Sequence, residues 1–371
     1  MIFKNALCFV LAVTFSALNL VSQENSSKEK QKPDLKHEVI VTATRLETPL
    51  KEVASSVTVI SREELDRAKK TTVLEALEEV LGVSVIQNGP EGGAASAFLR
   101  GANSEHTLVM MDGVELNDPI SPSRSFDLAH LTLESIERIE VLRGPQSTLY
   151  GSDALGGVIN IITTKGQGRP RFHLLTKGGS YRTFSGSAGI SGSLNRADYS
   201  FNVSRLQTQG FSAASEAYEG NSENDGYQNL SLCGRIGFRF KNNTDLELIL
   251  RNLKTEAEID NFGGGYGDDP NNTQNYDSLF LKVQVRSLQL RNRWEQKLFF
   301  SVVDYDRRHK NPTDDIHLFD SEEGFFKSRL FEIDLQNNFF LHEKNILTFG
   351  IDHHQEQGES EYQYNTIWGS D

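Results

Sequence analysis

Two stretches of the chain concentrate groups that could hold a hard cation. Gln209–Tyr227 contains Glu216, Glu219, Glu223 and Asp225, and Glu256–Asp277 contains Glu256, Glu258, Asp260, Asp268, Asp269 and Asp277; neither has a Lys or Arg. Calcium takes roughly six to eight oxygen ligands from carboxylates, amide side chains and carbonyls, and both stretches also supply Asn. A solvated acidic surface would have the same composition, and residue types alone leave both readings standing. Other chemistry fails on spacing. Gly151–Gly157 lacks the Gly-Lys-Ser/Thr of a phosphate loop, the nearest lysine being Lys165. His353-His354 with Glu356 lacks the H-E-x-x-H spacing of a zinc helix, and no Ser/His/Asp order suggests a nucleophile elbow. Neither an enzyme nor a covalent cofactor is expected.

Charge and apolar runs narrow the class further. The net charge of −13 and a pI near 5.3 have the wrong sign for a basic nucleic-acid binder. The two acidic stretches carry most of that charge, so the rest of the chain is nearly neutral. The one long apolar run, Ala6–Leu20, is shorter than the roughly 18 residues a spanning helix needs. Lys4 before it and polar residues from Ser22 make it a secretory signal, residues 1–22, followed by a flexible leader at 23–37. Its removal leaves Cys233 alone, with no internal disulfide to form.

Aromatic residues divide what remains. Residues 23–165 hold only Phe98, Phe126 and Tyr150, whereas both Trp lie after Gly166, and Gly/Pro punctuation at Gly166–Pro170 marks a boundary. The first part reads as mixed α and β. Val57–Ile60, Val83–Ile86, Thr107–Met111, Ile136–Leu142 and Val158–Thr163 are strands, with glycine-rich loops between them. Ser61 with Glu64, and Thr72 with Glu75, open helices as capping boxes, and Leu74, Leu77 and Leu81 fall on one helical face.

The second part alternates strictly. Leu230, Leu232, Ile236 and Phe238 oppose Ser231, Cys233, Arg235 and Arg239; Leu246, Leu248 and Leu250 oppose Asp245, Glu247 and Arg251; Leu279, Leu281 and Val283 oppose Ser278 and Lys282. Period two means strands with one apolar and one polar face. A soluble sandwich shares that pattern. Strand lengths near ten residues or more, and connections that are short at Lys241–Thr244 but long at the acidic stretches, favour an outer-membrane barrel. The fold expected is an α+β globular unit followed by a membrane-spanning antiparallel β-barrel of nine or ten strands. Enclosing such a unit takes roughly 22 strands, so the barrel is expected to be present only in part.

The motifs resemble those of the TonB-dependent outer-membrane receptors. Glu38-Val39-Ile40-Val41-Thr42-Ala43, followed by Thr44-Arg45, looks like the TonB box. Phe98-Leu-Arg-Gly101, Val109-Met-Met-Asp-Gly-Val114, Ile136–Pro145 and Ser147–Thr163 resemble the plug signature in its proper order. The organisation implied is signal 1–22, leader 23–37, box 38–45, plug 46–165 and barrel 166–371. Within the family the likeness is strongest to the cobalamin transporters, which share Gly-Ser-Asp-Ala, Gly-Gly-Val and an Asn-Asp-Gly loop like Asn224-Asp-Gly226.

The resemblance implies energy-coupled transport of a scarce organometallic nutrient, cobalamin, across the outer membrane. The periplasmic partner TonB would bind Glu38–Ala43, a β-prone segment suited to strand addition at a sheet edge. Substrate would meet the plug apices around Asn88, Gly89, Ser96, Asn117, Ser121 and Ser123. Glu223 and Asp225 fall where two calcium-binding Asp residues lie in those transporters, and Asp260 matches a third; Ser212 stands in place of another Asp. Arg100, Gly101, Asp112, Gly113, Arg143, Gly144, Pro145, Tyr150 and Gly151 would be structural, with Arg100 and Arg143 serving the plug–barrel contact. The alternatives are a ferric-siderophore or other metal-chelate receptor and, outside the class, a passive porin or surface adhesin.

Overall fold

The computed structural model describes residues 39–40, 45–46, 48–215, 217–219, 221, 223–260, 267–269, 271–314, 318, 321–342, 345–366 and 369–370. The signal, the leader and Glu38, Val41, Thr42, Ala43 and Glu216 lie outside the described residues. Of the box, the backbone at β1 (Val39–Ile40) pairs antiparallel with β2 (Thr48–Pro49), so the segment folds back on its own chain.

The plug is built around a five-stranded sheet. Its strands are β3 (Ser56–Ser61), β6 (Thr107–Met111), β7 (Val114–Glu115), β8 (Ile136–Arg143) and β9 (Gly157–Thr163), in the order β3-β8-β9-β6-β7. Only β6 and β9 run parallel; every other pairing is antiparallel. Beside the sheet lies a hairpin of β4 (Val83–Gln87) and β5 (Ala95–Leu99), the second of which the sequence did not announce.

Ser61 caps the Arg62–Ala68 helix with a full capping box through Glu64, as its spacing predicts. The second box is only half formed. Thr72 accepts from the Glu75 amide, but the Glu75 carboxylate goes to the amide of Thr71. That helix stops at Glu78, which leaves Leu81 88% exposed rather than on a buried face with Leu74 and Leu77.

Ten strands then run as one antiparallel meander: β10 (Arg171–Gly178), β11 (Phe184–Leu194), β12 (Ala197–Thr208), β13 (Tyr227–Arg239), β14 (Thr244–Glu258), β15 (Thr273–Gln289), β16 (Trp294–Asn311), β17 (Ser321–His342), β18 (Asn345–Thr366) and the short β19 (Gly369–Ser370). Turns at one end are tight, and Asn195, Asn243 and Asn292 take the left-handed conformations they require. The other end carries the longer connections, between β12 and β13, β14 and β15, and β16 and β17. Glu256, Glu258 and Asp277, which the sequence placed in a long loop, therefore belong to strands. The later strands reach 22 residues, twice the expected length, so they project beyond the roughly 9–11 residues that cross a bilayer.

Burial decides between barrel and sandwich. Leu232 is 46% exposed and Ile236 43%, as are Leu246, Leu248 and Leu250 in similar measure, whereas Ser231 and Arg251 on the opposite face are 3% exposed. A soluble sheet buries its apolar face; this wall exposes it and turns its polar face inward. Lipid is the solvent that suits such a surface. Inward positions become apolar where the plug meets them. Ile249, Leu253, Tyr276, Phe280, Val303 and Leu330 of the wall join Leu77, Leu99, Val109, Ile139 and Ile159 of the plug in one continuous cluster.

Candidate functional site: the plug, its ties to the wall and the outer loops

The outer loops bring their acids together. One carboxylate oxygen from each of Glu223, Asp225 and Asp260 lies within 4.8 Å of the others. The surrounding backbone turns amides onto them: Ala213 N donates to Asp225 at 2.6 Å, Ala214 N to Asp260 at 2.5 Å, and Glu223 N to Asp268 at 2.8 Å. The Ser212 hydroxyl lies within hydrogen-bond distance of Asp260 and Asp268, as well as of Ala214 O, and its single proton serves one of them at a time, so the residue that replaces an acid sits between acids. Asp268 and Asp269, buried alongside, were legible in the sequence only as loop charge.

Donor atoms remain for a cation. Among the described residues, Glu223 Oε1 and Asp225 Oδ1 are buried and have no hydrogen-bond donor. Burial, and then Asp225, Asp260 and Asp268, push Glu223 up to about 8, and burial raises Asp225 as well. Clustered carboxylates removed from water resist ionising together unless a counter-charge is supplied. The donor set therefore fits calcium, and Glu219, exposed on the same loop, has no place in it.

The apical residues divide into two groups. Asn88 and Gly89 are exposed at the turn between β4 and β5, Ser96 is half-buried in β5, and Ser121 and Ser123 are half-buried on the next apical loop. Asn117 does not belong with them. It is fully buried; its side-chain oxygen accepts from Val109 N at 3.0 Å and its amide donates to Thr107 O. Those bonds hold the edge of β6, which leaves nothing to offer a substrate.

Charged residues fasten plug to wall. Asp112, at the β6–β7 turn with Gly113, accepts from Thr163 N and Oγ1 and pairs with Arg235 of β13 at 3.2 Å. Arg235 also bonds Glu247 of β14 at 2.8 Å and Thr163 O at 2.8 Å, and Lys282 of β15 donates to Asp112 O at 2.5 Å. Asp118 pairs with Arg307 at 2.8 Å and accepts from Ser328 at 2.7 Å. Arg124 grips both carboxylate oxygens of Glu356 on β18. Near it Glu115, desolvated and facing Asp153, Glu332 and Glu356, is raised to about 8.

Among the described residues, neither Arg100 nor Arg143 makes a hydrogen bond or ion pair to the wall. Arg143 donates to Ser56 and Thr58 of β3, and Arg100 is exposed. The mid-strand cations Arg235 and Lys282 went unassigned in the sequence. Their signal was a base on the polar face of an alternating strand, which must point at whatever fills the lumen. The remaining motif residues shape turns. Gly144 N bonds Gly156 O past Pro145, Gly151 and Gly101 adopt positive φ, and Arg45 stacks on the Tyr150 ring at 5.4 Å while pairing with Asp334 at 3.0 Å. At the tight-turn end a cavity of about 640 Å³ separates plug and wall, lined among others by Asp112, Arg235, Glu247, Lys282 and Arg286.

A lipid-facing antiparallel wall wrapped on a mixed α/β unit defines the plugged outer-membrane receptors. Residues 49–158 match the family model of the TonB-dependent Receptor Plug Domain, and antiparallel strands with an outward apolar face follow them. The vitamin B12 transporter BtuB of Photobacterium profundum is 33% identical over 229 residues, covering 62% of this chain and 36% of its own length. The chain thus spans about a third of that curated relative. Among solved structures, the ferric yersiniabactin uptake receptor FyuA of Yersinia pestis superposes with a TM-score of 0.62 at 15% identity, over 85% of this chain and 59% of its own. The pyoverdine receptor FpvA of Pseudomonas aeruginosa gives 0.67 at 17%, over 88% and 50%. Those likenesses establish the fold.

Proposed function

We propose that this chain is the plug and first barrel strands of an outer-membrane transporter that takes up cobalamin, energised through TonB at Glu38–Ala43. The observation that carries the substrate is the joint one of sequence and site. BtuB is 33% identical over 229 residues, and the outer loops gather Glu223, Asp225 and Asp260 into one donor set. Those three residues would hold a calcium ion, which would neutralise them and tie the 209–226 loop to the 259–272 loop above the plug. Asn88, Gly89, Ser96, Ser121 and Ser123 lie on the apical side and are available to a substrate. A ferric-siderophore or other metal-chelate receptor is the second reading, favoured by the shared fold with FyuA and FpvA.

Binding of labelled cobalamin to cells expressing the protein separates the two. The account expects displacement by unlabelled cobalamin and not by ferric siderophores, with affinity weakened about tenfold or more by chelating calcium. Displacement by a siderophore alone would discard the cobalamin reading, and unchanged affinity after chelation would discard the calcium site.

A further inference from the structure

The acidic loop cluster and the plug apex meet at the top of the wall, and Tyr227 makes the polar link between them. Tyr227 opens β13 two residues after Asp225, and the intervening Gly226 is fixed on both sides. Its N–H donates to Glu258 Oε2 at 2.7 Å and its carbonyl accepts from Glu258 N at 2.9 Å. Asp225 and Tyr227 are therefore geared together at the top of the wall.

The Tyr227 ring is buried and leans on the apical turn of the plug. A Cβ placed on Gly92, which sits at φ +92°, would come within 2.4 Å of the ring. Only glycine allows this approach. The hydroxyl continues the path: it shares a hydrogen bond with His130 Nδ1 at 3.0 Å and accepts from Asn229 at 2.9 Å, while Asn229 also donates to His130 O. His130 stacks on Tyr276 with ring centroids 4.7 Å apart, and burial lowers its pKa. Asp127, three residues before it, accepts from Ala95 N at 3.0 Å, which is the first residue of β5 and the end of the apical turn.

A buried, hydrogen-bonded network of this kind, in which among the described residues Asn229 Oδ1 alone of the linked side-chain atoms lacks a partner, has few alternative arrangements, so its members move together. From it we infer that Tyr227 is a positioning residue that transmits cation occupancy of the Glu223–Asp225–Asp260 cluster to the apical turn at residues 88–97. The inference rests on the cation reading given above. With the cluster neutralised, Asp225 is held, Tyr227 stays seated against Gly92 and His130, and the turn is ordered; without a cation, repulsion among the acids shifts Asp225 and loosens the seat.

Hydrogen exchange on the full chain in outer membranes tests this, with calcium binding measured in parallel. Calcium should slow exchange of residues 88–97 about fivefold or more in the natural protein. Tyr227→Phe keeps the ring but removes the hydroxyl; it should bind calcium normally yet show less than about twofold slowing. Gly92→Ala, which displaces the ring from the plug side, should do the same, and Asp225→Asn should lose both calcium binding and slowing. Full slowing in Tyr227→Phe, or calcium binding by the natural protein without any effect on 88–97, would overturn the role of Tyr227 while leaving the cation site intact. A natural protein that binds no calcium would overturn the cation site, and this inference with it.

Discussion

Arg235→Ala is expected to destabilise the plug–wall assembly by about 3–5 kcal/mol, because it strands two buried carboxylates that share one cation. The guanidinium sits between Asp112 of the plug and Glu247 of the wall and also satisfies the Thr163 carbonyl. Asp112 keeps its bonds from Thr163, and Glu247 keeps Lys165 of the plug, but that pair spans 3.6 Å against the 2.8 Å bond Arg235 makes to Glu247, and it does not reach Asp112. Thermal unfolding in detergent and protease access to the Asp112–Thr163 region report the loss. An exposed pair provides the contrast. Arg308→Ala removes a partner of Asp306 on the outer face, where solvent screens the pair, and should cost far less. Equal effects of the two substitutions would show that Arg235 does not fasten the plug.

Leu248→Arg is expected to cost about 2–4 kcal/mol in a bilayer, because the residue stands in the lipid-facing row at mid-wall. Its neighbours across the sheet, Ile236 and Val283, are apolar, and the next residue, Ile249, is fully buried against the plug. Leu248 is 38% exposed, so in a water-soluble sheet the same change would stay within about 0.5 kcal/mol. Folding titrations into lipid vesicles distinguish the cases. A neutral outcome would mean that this face does not meet lipid.

The sequence made the wall easy to read because period two is a local signal that depends on nothing distant. Which face was which did not follow from it: the same alternation serves a sandwich, and only burial showed Leu232 outside and Ser231 inside. In the plug, strand positions followed from apolar runs bounded by glycine. The hairpin strand Ala95–Leu99 escaped because small residues, Ala and Ser, carry little β signal. Leu81 was misplaced because a helix end is set by capping geometry and not by spacing. Site residues were legible where a resemblance named them, as with Glu223, Asp225 and Asp260, which the fold then placed side by side. Asn117 was misjudged because an amide at a loop start looks the same whether it faces solvent or holds the backbone of β6. Ties between Asp112, Arg235 and Lys282 join positions up to 170 apart in sequence, and no local pattern encodes such a partner.

The account stands or falls on energy coupling at the amino-terminal box. Deleting Glu38–Ala43 from the full protein and measuring binding and uptake of labelled cobalamin on the same cells tests it most directly. Binding should persist at its natural affinity while accumulation inside the cell falls to the level of cells lacking the protein. Uptake that continues undiminished after the deletion would contradict the account and point to passive entry.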